Sequence, residues 1–149
     1  MKSLFEPAVR DETIRRLRQV RADACPAWGT LTAPRMMCHL LDSLKISFGD
    51  VPVTFKPNPL ANALGRWFVI SCPLPWPRGR LKAPPIFFAT APAPEFEQDR
   101  AAVIAGLERF ARGPAQAWGI SPFLGPLTPE QWAKLNYRHC DHHLRQFGQ

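Results

Sequence analysis

Four stretches of the chain repeat apolar residues at helical spacing, and a long proline-rich span separates the first two from the last two. In the first, Ile14, Leu17 and Val20 recur with arginines between them, and Asp11 can cap a helix that runs to about Ala22. The second has Thr32 as N-cap and Pro34 in its first turn, where a missing amide costs little. It runs from Ala33 to Phe48, and Gly49 stops it. The third extends from Ala93 or Glu95 to Arg112, with Phe96, Ala101, Ile104, Leu107 and Phe110 facing inward and Gly113 closing it. The fourth begins on Thr128, Pro129 and Gln131, a capping box with proline at the first helical position, and continues to about Phe147.

From Asp50 to Pro94, ten prolines exclude long helices and central strands over most of the span. One helical piece survives there. It starts at Asn58 and Pro59, and Leu60, Leu64, Trp67 and Phe68 then recur to about Ser71. Trp67, Phe68, Trp76, Phe87 and Phe88 are too many aromatics for a solvated linker, so the span reads as an ordered crossover. No hairpin or alternating strand pattern competes. The expected fold is all-α: one domain over residues 1–149, a four-helix bundle with the crossover between its second and third helices.

Composition narrows the setting. The cysteines Cys25, Cys38, Cys72 and Cys140 are widely spaced with no C-x-x-C pair, and the N-terminus has no apolar signal segment. Reduced thiols and a cytoplasmic location are therefore expected. The most apolar stretch, Trp67 to Trp76, is too short to span a bilayer and is broken by Pro73 and Pro75, so no membrane partner is expected. A net charge of +7 suggests an anionic partner or substrate. Arg10, Arg15, Arg16, Arg18 and Arg21 point around most of a helix rather than along one stripe, which argues against nucleic acid.

Chemistry concentrates in the histidines. On the fourth helix Trp132, Leu135, His139, His143 and Gln146 fall within about 60° of arc, on the stripe that faces the core. On the second, Met36, His39, Ser43 and Ile46 make an inward line. Two imidazoles from one helix and one from its neighbour can hold a divalent ion at three corners, leaving positions for water or substrate. Isolated helical histidines are also common as surface or hydrogen-bonded core groups. His142, at the edge of the stripe, either supports the ligands from behind or faces solvent, with i, i+3 pairing to His139 as a geometric alternative. Ligand imidazoles donate their second N–H to an oxygen, for which Asp42 and Gln146 are candidates if they are not ordinary surface groups. Cys38 and Cys140 adjoin histidines in sequence but diverge from them around the helix, and they read as packed thiols.

With these residues in place, the chain resembles the DinB/YfiT-like superfamily of small four-helix metal proteins over most of its length, from about Trp28 to Gly148. Leu31 to Ser43, with Pro34, His39 and Asp42, looks like the family's first-ligand helix. Tyr137 to Gln146, an H-x-x-H-H-x-x-Q run from His139, looks like its closing helix. Pro73 to Gly79 and Phe123 to Thr128 are similar to a branch known mainly as a domain of unknown function. The resemblance implies His39, His139 and His143 as ligands of zinc, nickel or iron. It also implies an enzyme acting on a small molecule, such as a transferase for a low-molecular-weight thiol, with a non-catalytic ligand-binding module as the alternative. Related folds often pair, which suggests a homodimer. The long aromatic crossover departs from the plain family pattern. On it, Arg78, Arg80 and Lys82 can bind the carboxylates of a peptide thiol or be solvated loop charges.

Overall fold

Two threonine caps and two glycine stops fix the helices that matter most. The computed structural model describes residues 2–80 and 83–149, except the side chains of residues 59–61. Helix α2 spans Ala33–Ser47, with Thr32 Oγ1 accepting from Arg35 N and Gly49 turning away at φ 71°. Helix α5 spans Pro129–Gln146 from a reciprocal box, in which Thr128 Oγ1 accepts from Gln131 N and Gln131 Oε1 accepts from Thr128 N. Helix α1 spans Pro7–Gln19 and so starts four residues before Asp11. Pro7 occupies the first helical position, where its fixed φ suits the helix and its lost amide has no partner anyway. The chain leaves the helix at Val20, which is extended.

Within the crossover, α3 covers Pro59–Arg66 and runs into a π-helical turn at Trp67–Ser71. A 3₁₀ turn follows at Pro85–Phe88. Helix α4 spans Phe96–Glu108 and tightens into a 3₁₀ turn at Arg109–Ala111. Its buried face is Asp99, Val103, Leu107 and Phe110, whereas Ala101, expected inside, is exposed. Gly106 explains the rotation: a Cβ there would stand 2.8 Å from Leu44 Cδ1, so the helix turns its smallest residue toward α2.

The described residues are mostly helical. Helix α2 packs on α4 and α5, and α1 packs on the same two, closing a circuit around a core that includes Leu17, Met36, Leu40, Leu44 and Leu144. One short antiparallel ladder was not expected. Strand β1, Ile120–Ser121, pairs with β2, Gly125–Pro126, in a turn held by Leu124 N donating to Ser121 Oγ. Strands of two residues leave no alternation to read. The crossover is tied down along its length: Arg138 donates to the carbonyls of Cys72 and Leu74, and Trp76 Nε1 donates to Val69 O. Phe68 is partly and Trp67 largely exposed, so the aromatics of this span do not all face inward.

Candidate metal centre

Helix α2 contributes His39, and α5 contributes His139 and His143 one turn apart. Their ring centroids form a near-equilateral triangle with sides of 4.7, 4.9 and 4.9 Å. One nitrogen from each lies within 4.8 Å of the others, so the three can hold a metal ion. His39 and His139 are buried, and His143 is the more open.

Each imidazole is held from behind by an oxygen, and those oxygens decide which nitrogen carries the proton. His39 Nδ1 lies 2.9 Å from the Phe87 carbonyl, which can only accept. His143 Nδ1 lies 2.8 Å from Gln146 Oε1, and the Gln146 amide is oriented by its Nε2 donating to Trp28 O. His139 Nδ1 lies 3.1 Å from Ser43 Oγ, the start of a directional chain. Ser43 Oγ–H donates to Asn136 Oδ1, Asn136 Nδ2 donates to Ser47 Oγ and to Trp132 O, and Ser47 donates to Ser43 O. With its amide fixed, Asn136 leaves Ser43 Oγ to accept from His139. All three protons therefore sit on Nδ1, which leaves Nε2 of each ring as its lone-pair donor.

His39 Nε2 and His139 Nε2 lie 2.9 Å apart, and with both protons on Nδ1 no hydrogen bond joins them. Two lone pairs at that distance repel, and a cation between them removes the conflict. Three nitrogens at about 2.0–2.1 Å from one zinc-sized ion stand about 3.3 Å apart, between the 2.9 Å of the His39–His139 contact and the 4.8 Å that encloses all three. Burial opposes any charge on these rings. It lowers the pKa of His39 and pushes that of His139 well below the ordinary value, with repulsion from the other imidazoles adding to it. Burial likewise takes His143 down to about 3. Ligands that stay neutral are ready for a metal.

The triangle opens on a cavity of about 760 Å³, lined by Leu31, Val69, Trp76, Phe87, Phe123 and Leu135 among others. Phe88 stacks on His39 at 4.7 Å.

The other expected site residues take different places. Gln146 does hold an imidazole N–H. Asp42 does not bond an imidazole: its carboxylate accepts from Thr90 N at 2.9 Å and Thr90 Oγ1 at 2.5 Å. Arg35 donates to Phe88 O and Thr90 O from the same side. Together they clamp the end of the crossover onto α2, and this clamp sets the Phe87 carbonyl over His39. His142 packs edge-on against Trp28 and also against Trp76, and burial lowers its pKa. Arg78 lies outside the cavity wall with its guanidinium 4.7 Å from the Trp28 ring, Arg80 is exposed, and Lys82 lies outside the described residues. Arg35 lines the cavity, and sequence reasoning did not single it out. Ser43 and Asn136 also escaped notice as supports, although polar residues on two core-facing stripes were the available signal.

No family model, curated protein or solved structure matches the chain.

Proposed function

We propose that the chain is a metal-dependent enzyme of the DinB/YfiT-like kind, a four-helix bundle with a crossover roof. In it His39, His139 and His143 hold zinc, nickel or iron, and a low-molecular-weight thiol or water is activated against a small-molecule substrate. One observation carries the reading: three imidazoles converge, each backed by its own oxygen, on the wall of a cavity of substrate size. The closed circuit among α1, α2, α4 and α5 supports the bundle, and four free cysteines suit a reducing cytoplasm.

When bound, a divalent ion on three neutral imidazoles keeps its full charge and acidifies a thiol or water brought beside it. The chain's own contribution is positional. Phe87 O, Ser43 and Gln146 hold the rings in one tautomer, and Phe88 covers one face of His39 against water. The apolar wall gathers an uncharged part of the substrate near the triangle.

Elemental analysis of purified wild type beside alanine variants of all four histidines tests the reading. Bound metal is expected to disappear in His39→Ala, His139→Ala and His143→Ala and to persist in His142→Ala. Retention in all four variants sinks the site. Metal that is bound but coordinatively saturated, with no exchangeable water, favours the non-catalytic binding module.

A further inference from the structure

Six large apolar side chains are exposed among the described residues, four on the crossover, Leu64, Trp67, Phe68 and Leu74, and two on the β1–β2 hairpin, Ile120 and Phe123. The two groups adjoin because α3 rests on the hairpin. Arg66 Nε donates to Leu124 O at 2.8 Å, and a side chain at Gly65 would meet Leu124 Cδ2 at 3.2 Å. Leu64, Trp67 and Phe68 follow i, i+3, i+4 spacing, so they project from one side. Leu64 and Trp67 are 62% and 59% exposed. Isolated exposed leucines need no explanation, but an exposed apolar helix face resting beside an apolar hairpin does.

Charge selects the partner. Residues 51–94 hold Lys56, Arg66, Arg78, Arg80 and Lys82 and no Asp or Glu, and residues 113–129 hold no charged side chain at all. Most of the net +7 therefore sits on the crossover. Among the described residues, none of Lys56, Arg66, Arg78 or Arg80 takes part in an ion pair. Arg138 adds a further cation beside Leu74. A second copy of this face would bring like charges together with no acid to neutralise them. A nucleic acid would satisfy the cations but offer nothing to the leucines. An anionic bilayer surface answers both, taking Trp and Leu into the boundary below the headgroups while Arg and Lys stay among the phosphates.

We infer that the crossover face docks the protein on an anionic lipid surface. No described helix is long and apolar enough to cross a membrane, so the contact is with the surface alone. The inference is independent of the metal. The same helix walls the cavity with Asn62 and Gly65, so a docked protein holds that wall near the lipid.

The test is co-sedimentation of the full-length protein with vesicles of phosphatidylcholine alone or with about a third phosphatidylserine. Wild type is expected to sediment with the anionic vesicles only, and to be released as salt rises from about 0.1 to about 0.5 M. Arg78→Gln and Arg80→Gln each weaken binding about fivefold. The double variant Leu64→Ser, Trp67→Ser weakens it about tenfold or more, with an unchanged circular dichroism spectrum. Three outcomes overturn the inference. One is no sedimentation with either vesicle. Another is undiminished binding by the double variant, which is charge adsorption common to any polyanion. The third is a concentration-dependent dimer that the double variant breaks without any vesicle binding.

Discussion

Gln146 sits between His143 and Trp28, accepting from His143 Nδ1 at 2.8 Å and donating to the Trp28 carbonyl at 2.6 Å. The second bond fixes the amide, so the first fixes the His143 tautomer. Gln146→Leu keeps the approximate volume and removes the acceptor. Metal affinity, measured by competition against a coloured chelator, is expected to fall about 10–100-fold. Wild-type affinity in this variant would make the hydrogen bond incidental to the site.

Ser43 does the same for His139 from inside the core. Ser43→Ala leaves a buried Nδ1–H and Asn136 Oδ1 both without partners, at a cost of about 1–3 kcal/mol. Thermal unfolding of the metal-free protein should drop by about 2–12 °C, and metal affinity should fall with it. A variant that melts like wild type would show that water satisfies both groups, accepting from His139 and donating to Asn136.

The three-histidine group is legible in the sequence because each member lies on a core-facing stripe, and the packing of α2 on α5 brings those stripes together. The ends of α2 and α5 are legible for a similarly local reason: Thr32 and Thr128 cap them, and Gly49 and Gly148 follow them with positive φ. What is not legible is long-range. The Phe87 carbonyl reaches His39 only because Asp42 grips Thr90, 48 residues away, and no local pattern encodes that path. The face of α4 is likewise set by how closely Gly106 approaches Leu44, which depends on the partner helix and not on α4's own periodicity.

Acid should unfold the metal-free protein earlier than an ordinary helical domain. Burial holds His39, His139 and His143 below the ordinary histidine value, His143 at about 3, while in the unfolded chain each returns to about 6.5. Between those limits the unfolded state binds more protons. Stability is therefore complete above about pH 6.5 and is lost as pH falls toward 3, at up to about 1.4 kcal/mol per pH unit for each such group. Urea midpoints of chelator-treated protein should decline over this window, and more gently in His143→Gln. A profile as steep in the variant as in wild type would remove His143 from the account.

Cysteine chemistry separates a thiol supplied from outside from one carried by the chain. Burial pushes the Cys38 thiol up to about 11, with the Asp99 charge adding to it, and pushes Cys140 up to about 12. Cys72 is buried and Cys25 is exposed. At neutral pH the two thiols beside the histidines in sequence are thus protonated and enclosed, and neither can serve as a nucleophile. Native protein at about pH 8 should react with Ellman's reagent at one thiol per chain, and at four after denaturation in guanidinium. Cys25→Ser should abolish the native reaction and, on the proposal that the reacting sulfur belongs to a co-substrate, leave bound metal and any thiol-transfer activity unchanged. A second fast thiol in the native protein, or loss of turnover in Cys25→Ser, would place the sulfur on the chain instead.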